Sequence, residues 1–269
     1  MHETGPQPQP QPQVQGTTPS AALVTGGGRR IGRAIGLGLA RRGFRVAVHY
    51  GQSQAEAEAV VAEIAAEGGK AVALGADLGR EAEVSTLLER AIEALGPIGC
   101  LVNNASRFEY DSALSATRDS WDLHLETNLR APFVLMQAFA RELPPAHSGC
   151  IINVLDERVW NLTPHFVSYT VSKTALWTLT QTMALALAPR IRVNAIGPGP
   201  TLPSVHQSPE QFARQVQRLP LQRGASPEEI SHAVNFLLDA PAMTGQMIAL
   251  DGGQHLGWAQ PGPDDAARD

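Results

Sequence analysis

The feature of this sequence that most restricts its fold is a glycine-rich turn between an apolar segment and a helical one. Residues 21–24 read Ala-Ala-Leu-Val, and the turn that follows reads Thr25-Gly26-Gly27-Gly28-Arg29-Arg30-Ile31-Gly32. Residues 33–42 then have the pattern of a helix. Glycines in such a turn let a phosphate approach the backbone, and the first N–H groups of the helix bind the anion. The pattern therefore predicts a dinucleotide-binding turn after a parallel strand.

Apolar strand-like segments and helical segments alternate through the rest of the chain. Further strands are expected at residues 44–50, 71–74, 99–102, 150–155, 191–196 and 247–250. Helices are expected at residues 54–67, 81–95, 119–141, 173–187 and 227–238. This alternation predicts a single α/β domain, residues 21–256, built as a Rossmann-like doubly wound parallel sheet.

Three segments lie outside this regular pattern. Residues 1–20 are rich in Pro and Gln, a composition that cannot build a core, and we expect a disordered tail there. Residues 257–269 are assigned to a C-terminal tail. Residues 201–219 are polar and contain Pro203 and Pro209, so we interpret them as a mobile lid or substrate loop.

Charge and composition argue against several classes of function. The chain has 21 basic and 26 acidic residues, a net charge of −5 and no basic block, so we expect no nucleic-acid partner. No apolar run approaches the roughly 20 residues of a membrane span, and no secretory signal pattern is present, so we expect a cytoplasmic protein. Cys100 and Cys150 lie in or beside apolar runs, which favours buried free thiols over a disulfide or a metal site.

A second chemical feature follows the strand expected at residues 150–155. Asp156 stands at the carboxyl end of that strand, where open parallel sheets bind ligands. Tyr169 and Lys173 are four residues apart, so on a helix they share one face. A nearby ammonium stabilises a phenolate, so we expect Lys173 to lower the pKa of Tyr169 toward neutrality. An acid, a phenol and a cation therefore converge at one edge of the sheet.

Other polar residues follow the expected strands. The second strand ends in His49-Tyr50-Gly51-Gln52-Ser53, with no acid to hold a ribose 2′-hydroxyl, so NADP(H) is favoured over NAD(H). Asp77 has two open interpretations, an acceptor for adenine or a helix cap. Asn103 and Asn104 either tie strand ends together or line a cofactor pocket. Asn128 lies inside a helical pattern, and because Asn is a poor helix former we expect its side chain to make hydrogen bonds there.

Taken together, these residues resemble those of the short-chain dehydrogenases/reductases. The resemblance covers residues 21–253 and rests on the glycine turn, Asp77, Asn103-Asn104-Ala105, Asn128, Tyr169 with Lys173, Pro198-Gly199 and Asp251-Gly252-Gly253. It implies that Tyr169 is the catalytic acid, that Lys173 holds the nicotinamide ribose and that Asn128 supports a proton-relay water. The cofactor-binding set expected is Gly26, Arg29, Arg30, Ile31, His49, Tyr50, Ser53, Asp77, Leu78, Asn104, Ala105, Ser106, Tyr169, Lys173, Pro198 and Gly199.

The chain departs from the common family pattern at two positions. Most members have Ser where this chain has Asp156, and the middle glycine of the turn is replaced by Arg30. Both departures are similar to the pteridine reductase branch, which includes bacterial dihydromonapterin reductases, and Ser106 and Phe108 also match it. The resemblance implies a pterin-type substrate, contacted by Arg30, Ser106, Phe108, Asp156 and Tyr169.

The expected function is NADPH-dependent reduction of a dihydropterin, with Asp156 and Tyr169 handling protons. One alternative is an ordinary short-chain reductase of a ketone or aldehyde. Another, in a different class, is an NADP(H)-binding sensor or partner protein without turnover. Family resemblance also implies a homotetramer with residues 119–141 and 169–187 at the interfaces, although burial within one subunit would explain the same apolar residues.

Overall fold

The computed structural model describes residues 18–204 and 207–257, and within them a seven-stranded parallel sheet has the order β3-β2-β1-β4-β5-β6-β7. The strands are β1 Ala21–Val24, β2 Arg45–Tyr50, β3 Ala71–Gly75, β4 Cys100–Asn103, β5 Gly149–Val154, β6 Ile191–Pro198 and β7 Met247–Leu250. The central strands are buried on both faces and read as continuous apolar runs, as a sheet covered by helices requires. The Rossmann-like doubly wound sheet predicted above is confirmed.

Helices cover both faces of the sheet. They are α1 Arg30–Arg41, α2 Gln54–Ala66, α3 Glu81–Leu95, α4 Arg118–Leu125, α5 Ala131–Glu142, α6 Val167–Leu187, α7 Pro209–Gln217 and α8 Pro227–Asp239. One apolar core contains Leu101, Leu135 and Ile151, and a second, on the other face, contains Val48, Val102 and Ile230. The strand order reverses between β1 and β4, so the carboxyl ends of these two strands flank a crevice in which open sheets bind ligands.

The interpretation of residues 201–219 as a loop is wrong for part of that segment. Residues 209–217 form helix α7, which begins with Pro209 at its first position and is capped by Ser208 and Gln211. Proline is well suited to the first helical turn because its missing N–H is not needed there. Residues 205 and 206 lie outside the described part of the chain.

Two other helices differ from their predicted bounds. The helix expected at residues 119–141 consists of α4, a π-helical turn over Glu126–Arg130 and α5 in direct succession. Asn128 lies in the π-helical turn and is fully buried. Helix α6 begins at Val167, six residues earlier than predicted, so it includes both Tyr169 and Lys173.

The two cysteines are buried free thiols, as predicted, and are register partners on β4 and β5. Burial raises the pKa of Cys150 to about 11. The predicted tails lie outside the described residues except for residues 18–20 and 257. Among the helices that the structure describes, none has the length and apolar character needed to cross a bilayer.

Candidate active site

The glycine turn is held in place by a buried histidine. Gly26 has φ +61°, and a Cβ at Gly32 would lie 2.1 Å from the Gly26 carbonyl oxygen, so a side chain does not fit there. The Gly26 N–H donates to Nδ1 of His49 at 3.0 Å, which makes Nε2 the donor to the Ala76 carbonyl at 3.0 Å. Burial lowers the pKa of His49 to about 4, so the ring is neutral. His49 thus ties the turn to the ends of two strands.

A cavity of about 340 Å³ opens beside this turn. Its lining includes these predicted cofactor residues: Gly26, Arg29, Arg30, Ile31, His49, Ser53, Asp77, Leu78, Asn104, Ala105 and Ser106. Tyr50 is not part of that lining, because its ring lies against Gly75, and the expectation that it contacts the cofactor has no support here. The residues of this lining lie at or after the carboxyl ends of strands, which is where the sequence predicted the cofactor site.

The structure shows what the polar residues at the strand ends contact. Asn103 donates to Oδ1 of Asn153 at 2.8 Å and ties β4 to β5. Asn104 donates to the carbonyls of Thr25 and Gly26 and lines the cavity. Asp77 accepts from the Gly79 N–H at 2.9 Å and does not cap α3, since the N-cap of that helix is a different residue.

Asp156 and Tyr169 form a hydrogen-bonded pair at the end of β5. The Tyr169 hydroxyl donates to Oδ2 of Asp156 at 2.7 Å, and the Arg158 backbone N–H donates to Oδ1 at 2.9 Å. The Arg158 Nε atom lies 4.0 Å from Oδ1, which is an ion-pair distance but too long for a hydrogen bond. Asp156 lines the cleft together with Tyr169.

The pKa of Tyr169 moves in the direction opposite to that expected from the sequence. Burial, and after it the negative charge and hydrogen bond of Asp156, raise the pKa of the phenol well above its usual value. The Lys173 ammonium donates its hydrogen bond to the Val154 carbonyl at 2.8 Å and not to the phenol oxygen. Burial lowers the pKa of Lys173 to about 8. Tyr169 is therefore a neutral phenol, which is the form that can donate a proton.

Asn128 is saturated by the protein. Its Nδ2 atom donates to the Arg107 carbonyl and to the Ser172 hydroxyl, and its Oδ1 atom accepts from the Arg107 N–H and the Ser106 hydroxyl. The side-chain amide has two donors and two acceptor sites, and all are used. Asn128 thus positions the loop after β4, where Ser106 lines the cavity.

Aromatic rings form one wall of the cleft. Phe108 stacks on Phe166, with ring centroids 4.4 Å apart and planes 12° apart, and meets Tyr169 edge-on at 4.7 Å. The Arg158 guanidinium lies 5.1 Å from the centre of the Phe166 ring. Phe108 was predicted from the family resemblance, but Phe166 and Arg158 were not.

The start of α6 is fixed by a buried network of three side chains. The Glu109 N–H donates to Nε2 of His124, so Nδ1 of His124 donates to the Ser168 hydroxyl, which in turn donates to Asp111. Because Ser168 gives its proton to a carboxylate and faces a histidine donor, the set cannot activate a nucleophile. It holds the helix that carries Tyr169.

The cleft that contains Asp156 and Tyr169 has a volume of about 690 Å³ and adjoins the cavity beside the glycine turn. Both are lined by Arg30, Ile31, Asn104 and Ser106, and the cleft also includes the predicted Pro198 and Gly199. Arg30, at φ 51°, donates to the carbonyls of Leu202 at 3.1 Å and Pro203 at 2.9 Å. Arg30 therefore bridges the glycine turn and the segment after β6.

Comparison with known proteins agrees with this arrangement. A family model described as "Enoyl-(Acyl carrier protein) reductase" matches residues 27–255. The 3-oxoacyl-[acyl-carrier-protein] reductase of Synechocystis sp. is 35% identical over 242 residues, covering 88% of this chain and 97% of that protein. The chain belongs to the short-chain dehydrogenase/reductase family. It is thus an oxidoreductase.

Solved structures of other short-chain dehydrogenases/reductases have the same fold. One is titled FolM alternative dihydrofolate reductase 1 from Brucella canis, complexed with NADP. Its sequence is 48% identical to this chain, and the TM-score is 0.88. The match covers 92% of this chain and 98% of the chain in that structure. A blue fluorescent protein from a metagenomic library, in complex with NADPH, is 34% identical, with a TM-score of 0.82, and covers 89% of this chain and 99% of its own.

Glu157 is a member of the cleft that sequence reasoning missed. Its side chain is 3% exposed and lines the same cleft as Asp156. Burial, and next the charge of Asp156, raise the pKa of Glu157 to about 8. The adjacent Asp-Glu pair was visible in the sequence of this short-chain dehydrogenase/reductase, but its burial depends on how the following turn packs.

Proposed function

We propose that this short-chain dehydrogenase/reductase is an NADPH-dependent reductase of a pterin-type substrate, converting a dihydropterin to a tetrahydropterin. The observation that supports this most is the Asp156 carboxyl, which lines the cleft and accepts a hydrogen bond from Tyr169. The 48% identity to a structure titled alternative dihydrofolate reductase supports the same class of substrate.

The cavity beside the glycine turn fits NADP(H). Helix α1 has no side-chain cap and no acidic residue in its first turn, so its first N–H groups and Arg29 and Arg30 favour an anion. The end of β2 contributes Gly51, Gln52 and Ser53 to the cavity, with no carboxylate to repel a 2′-phosphate. NADPH supplies a hydride when bound there.

The residues of the cleft supply binding and proton transfer. Phe108 lines the cleft and offers an aromatic contact to a flat ring, and Arg30 and Ser106 lie where both cavities meet. Asp156 accepts hydrogen bonds from ring N–H or amino groups, which a pterin presents. The Tyr169 and Asp156 pair donates a proton to the nitrogen of the pterin ring that is next to the reduced carbon.

The same geometry is poorly suited to a simple ketone. Reduction of a carbonyl develops negative charge on its oxygen, and a neutral hydroxyl donor stabilises that charge. Asp156 places a carboxyl where most relatives place a serine hydroxyl. A carboxylate at this position would repel the oxygen, which disfavours the ketone reductase alternative.

The proposal is tested with purified protein, NADPH and a substrate panel. The panel contains dihydrobiopterin, dihydromonapterin, dihydrofolate, simple ketones and acetoacetyl-CoA. Turnover is measured as the loss of nicotinamide absorbance. The Tyr169→Phe protein is the control for background turnover. The proposal expects turnover of at least one dihydropterin with the highest kcat/KM of the panel. Turnover of ketones or the 3-oxoacyl thioester alone would reject it, and tight NADPH binding with no turnover would favour the sensor alternative.

We also propose that the enzyme is a homotetramer. An apolar surface depression between α4, α5 and α6 is lined by Leu125, Leu129, Phe133, Ala175 and Leu179, and these side chains suit a contact between subunits. Native mass measurement at micromolar concentration gives four chains if the proposal holds, and a single chain if it does not.

A further inference from the structure

Glu157 is a buried acid with one unpartnered carboxyl oxygen, and it lines the same cleft as Asp156 and Tyr169. It is 3% exposed, and its Oε2 atom has no hydrogen-bond partner among the described residues. A buried carboxylate without a donor is strongly disfavoured, so the group keeps its proton instead. Its pKa is about 8, which leaves it largely protonated at pH 7. A neutral acid therefore lines the cleft next to Asp156.

The charges around Glu157 are mixed. Asp156 and Asp251 are acidic neighbours that raise its pKa, and Arg158 is a cation that lowers it. Helix α6 contributes Tyr169 and Lys173 on the cleft side, and the turn after β7 contributes His255, which contacts Asp251 at 2.7 Å. Strand β6 has one titratable side chain, Arg192, which donates to the Leu237 and Ala240 carbonyls at the other end of the strand.

The reaction needs a source for one proton. Reduction by a nicotinamide transfers a hydride to carbon, and the neighbouring atom takes up a proton. The Lys173 ammonium donates a hydrogen bond to the Val154 carbonyl, and the side-chain amide of Asn128 has all its hydrogen bonds with protein groups. Tyr169 shares its proton with Asp156. Among the described residues lining the cleft, Glu157 is the carboxyl that holds a proton at neutral pH without sharing it.

We propose that Glu157 is the internal proton reserve that reloads the Asp156 and Tyr169 pair in each turnover. The Asp156 and Tyr169 pair delivers one proton to the substrate atom that receives the electron pair of the reduced double bond. The O–H bond of Glu157 then breaks, and its proton passes through water in the cleft to the deprotonated pair, since Oε2 of Glu157 has no direct hydrogen bond to either residue. Glu157 then regains a proton from solvent. One hydride and one proton are consumed, and Glu157 is a positioning and proton-supplying residue, since it need not touch the substrate.

The first test does not depend on turnover. The infrared spectrum of the NADPH-free protein is measured between pH 5 and 10, and the spectrum of Glu157→Gln is subtracted from it. Glu89→Gln, at an exposed position on α3, is the matched control. The proposal expects a protonated-carboxyl band at pH 7 that disappears above about pH 8 and is absent only in Glu157→Gln. A Glu157 carboxyl that is ionised at pH 6 would overturn it.

The second test is the pH profile of kcat. Loss of the proton reserve should lower kcat of Glu157→Gln at pH 7 about tenfold or more, with KM for NADPH within about twofold of the parent. Glu157 and Lys173 both have a pKa of about 8, so kcat of the parent should fall in two overlapping steps as pH rises through 8. Glu157→Gln should keep only the Lys173 step and so have a shallower alkaline limb, and Glu157→Asp should recover part of the rate. An unchanged alkaline limb in Glu157→Gln, or an equal loss of kcat at every pH, would overturn the proposal.

This inference rests on the reductase activity and not on the pterin assignment. Any reduction by NADPH consumes a proton, so the profile is measured on whichever of dihydrobiopterin and acetoacetyl-CoA is turned over. Failure of the pterin panel would therefore reject the proposed substrate and leave the Glu157 comparison intact.

Discussion

The phenolic hydroxyl of Tyr169 donates a 2.7 Å hydrogen bond to Oδ2 of Asp156. This bond keeps the phenol neutral, because burial and the adjacent carboxyl raise its pKa well above the ordinary value. The other carboxyl oxygen, Oδ1, accepts from the Arg158 backbone N–H, so both oxygens of Asp156 are held at the cleft. We therefore propose that the two groups handle protons as one unit.

Removal of the Tyr169 hydroxyl should abolish most turnover. Tyr169→Phe is expected to lower kcat by about 10²–10⁴-fold, the range typical of a lost general acid. The ring still meets Phe108 edge-on at 4.7 Å in the parent, so the cleft wall should remain and the Kd for NADPH should stay within about threefold. Cofactor fluorescence and steady-state rates check both points. A variant that retains a tenth of the parent kcat would contradict the assigned role.

The neutral state of His49 should make the protein sensitive to acid. Its folded pKa of about 4 lies below the ordinary value of 6.5, so its contribution to the free energy of unfolding is fully present above pH 6.5 and is lost as pH falls through 4. The loss amounts to at most about 3 kcal/mol. In His49→Gln, an amide can accept from Gly26 and donate to Ala76 without titrating, so its denaturant midpoint should fall less between pH 7 and 4. Equal losses in parent and variant would contradict this account.

The backbone at Arg30 should favour glycine. At φ 51° a side chain costs about 1 kcal/mol, and Arg30 offsets this with two hydrogen bonds to the segment after β6. Arg30→Gly and Arg30→Ala both lose those bonds, but only the alanine keeps the strain. Arg30→Gly should thus have the higher midpoint of thermal unfolding, while both raise KM for NADPH. Equal midpoints would show that the turn relaxes without cost.

An acid at the end of β2 should reverse the cofactor preference. Ser53 lines the cavity and is the N-cap of α2, where it makes no side-chain capping bond. In Ser53→Asp the carboxylate would repel a 2′-phosphate and accept from a ribose hydroxyl, while Asp remains a good N-cap. The ratio of kcat/KM for NADPH over NADH should fall about tenfold or more, with no loss of thermal stability. A ratio unchanged by the substitution would place the 2′-phosphate elsewhere.

The parts of the fold that were predictable from sequence are those set by local patterns. The apolar run at residues 21–24, the glycine turn and the helical pattern after it are contiguous, and each favours the structure that forms. Helix α7 was missed because Pro209 was taken as a loop residue, although proline also begins helices.

The parts of the site that were missed depend on packing between distant segments. Phe166 reaches the cleft because its backbone adopts φ 57° just before α6, and apolar residues rarely do so. Glu157 becomes a neutral acid only because the turn after β5 is covered by the turn after β7 and by α6. The raised pKa of Tyr169 also depends on packing, since burial is its first cause and the charge of Asp156 its second.

The most direct measurement of the central claim is the substrate preference of Asp156→Ser. It replaces the carboxyl that accepts from Tyr169 with a hydroxyl. The kcat/KM for a dihydropterin, divided by that for a ketone, is measured for parent and variant with NADPH. Our account predicts that this ratio falls at least about tenfold, with pterin activity lost and ketone activity kept or gained. A variant that reduces dihydropterins as well as the parent does would contradict it.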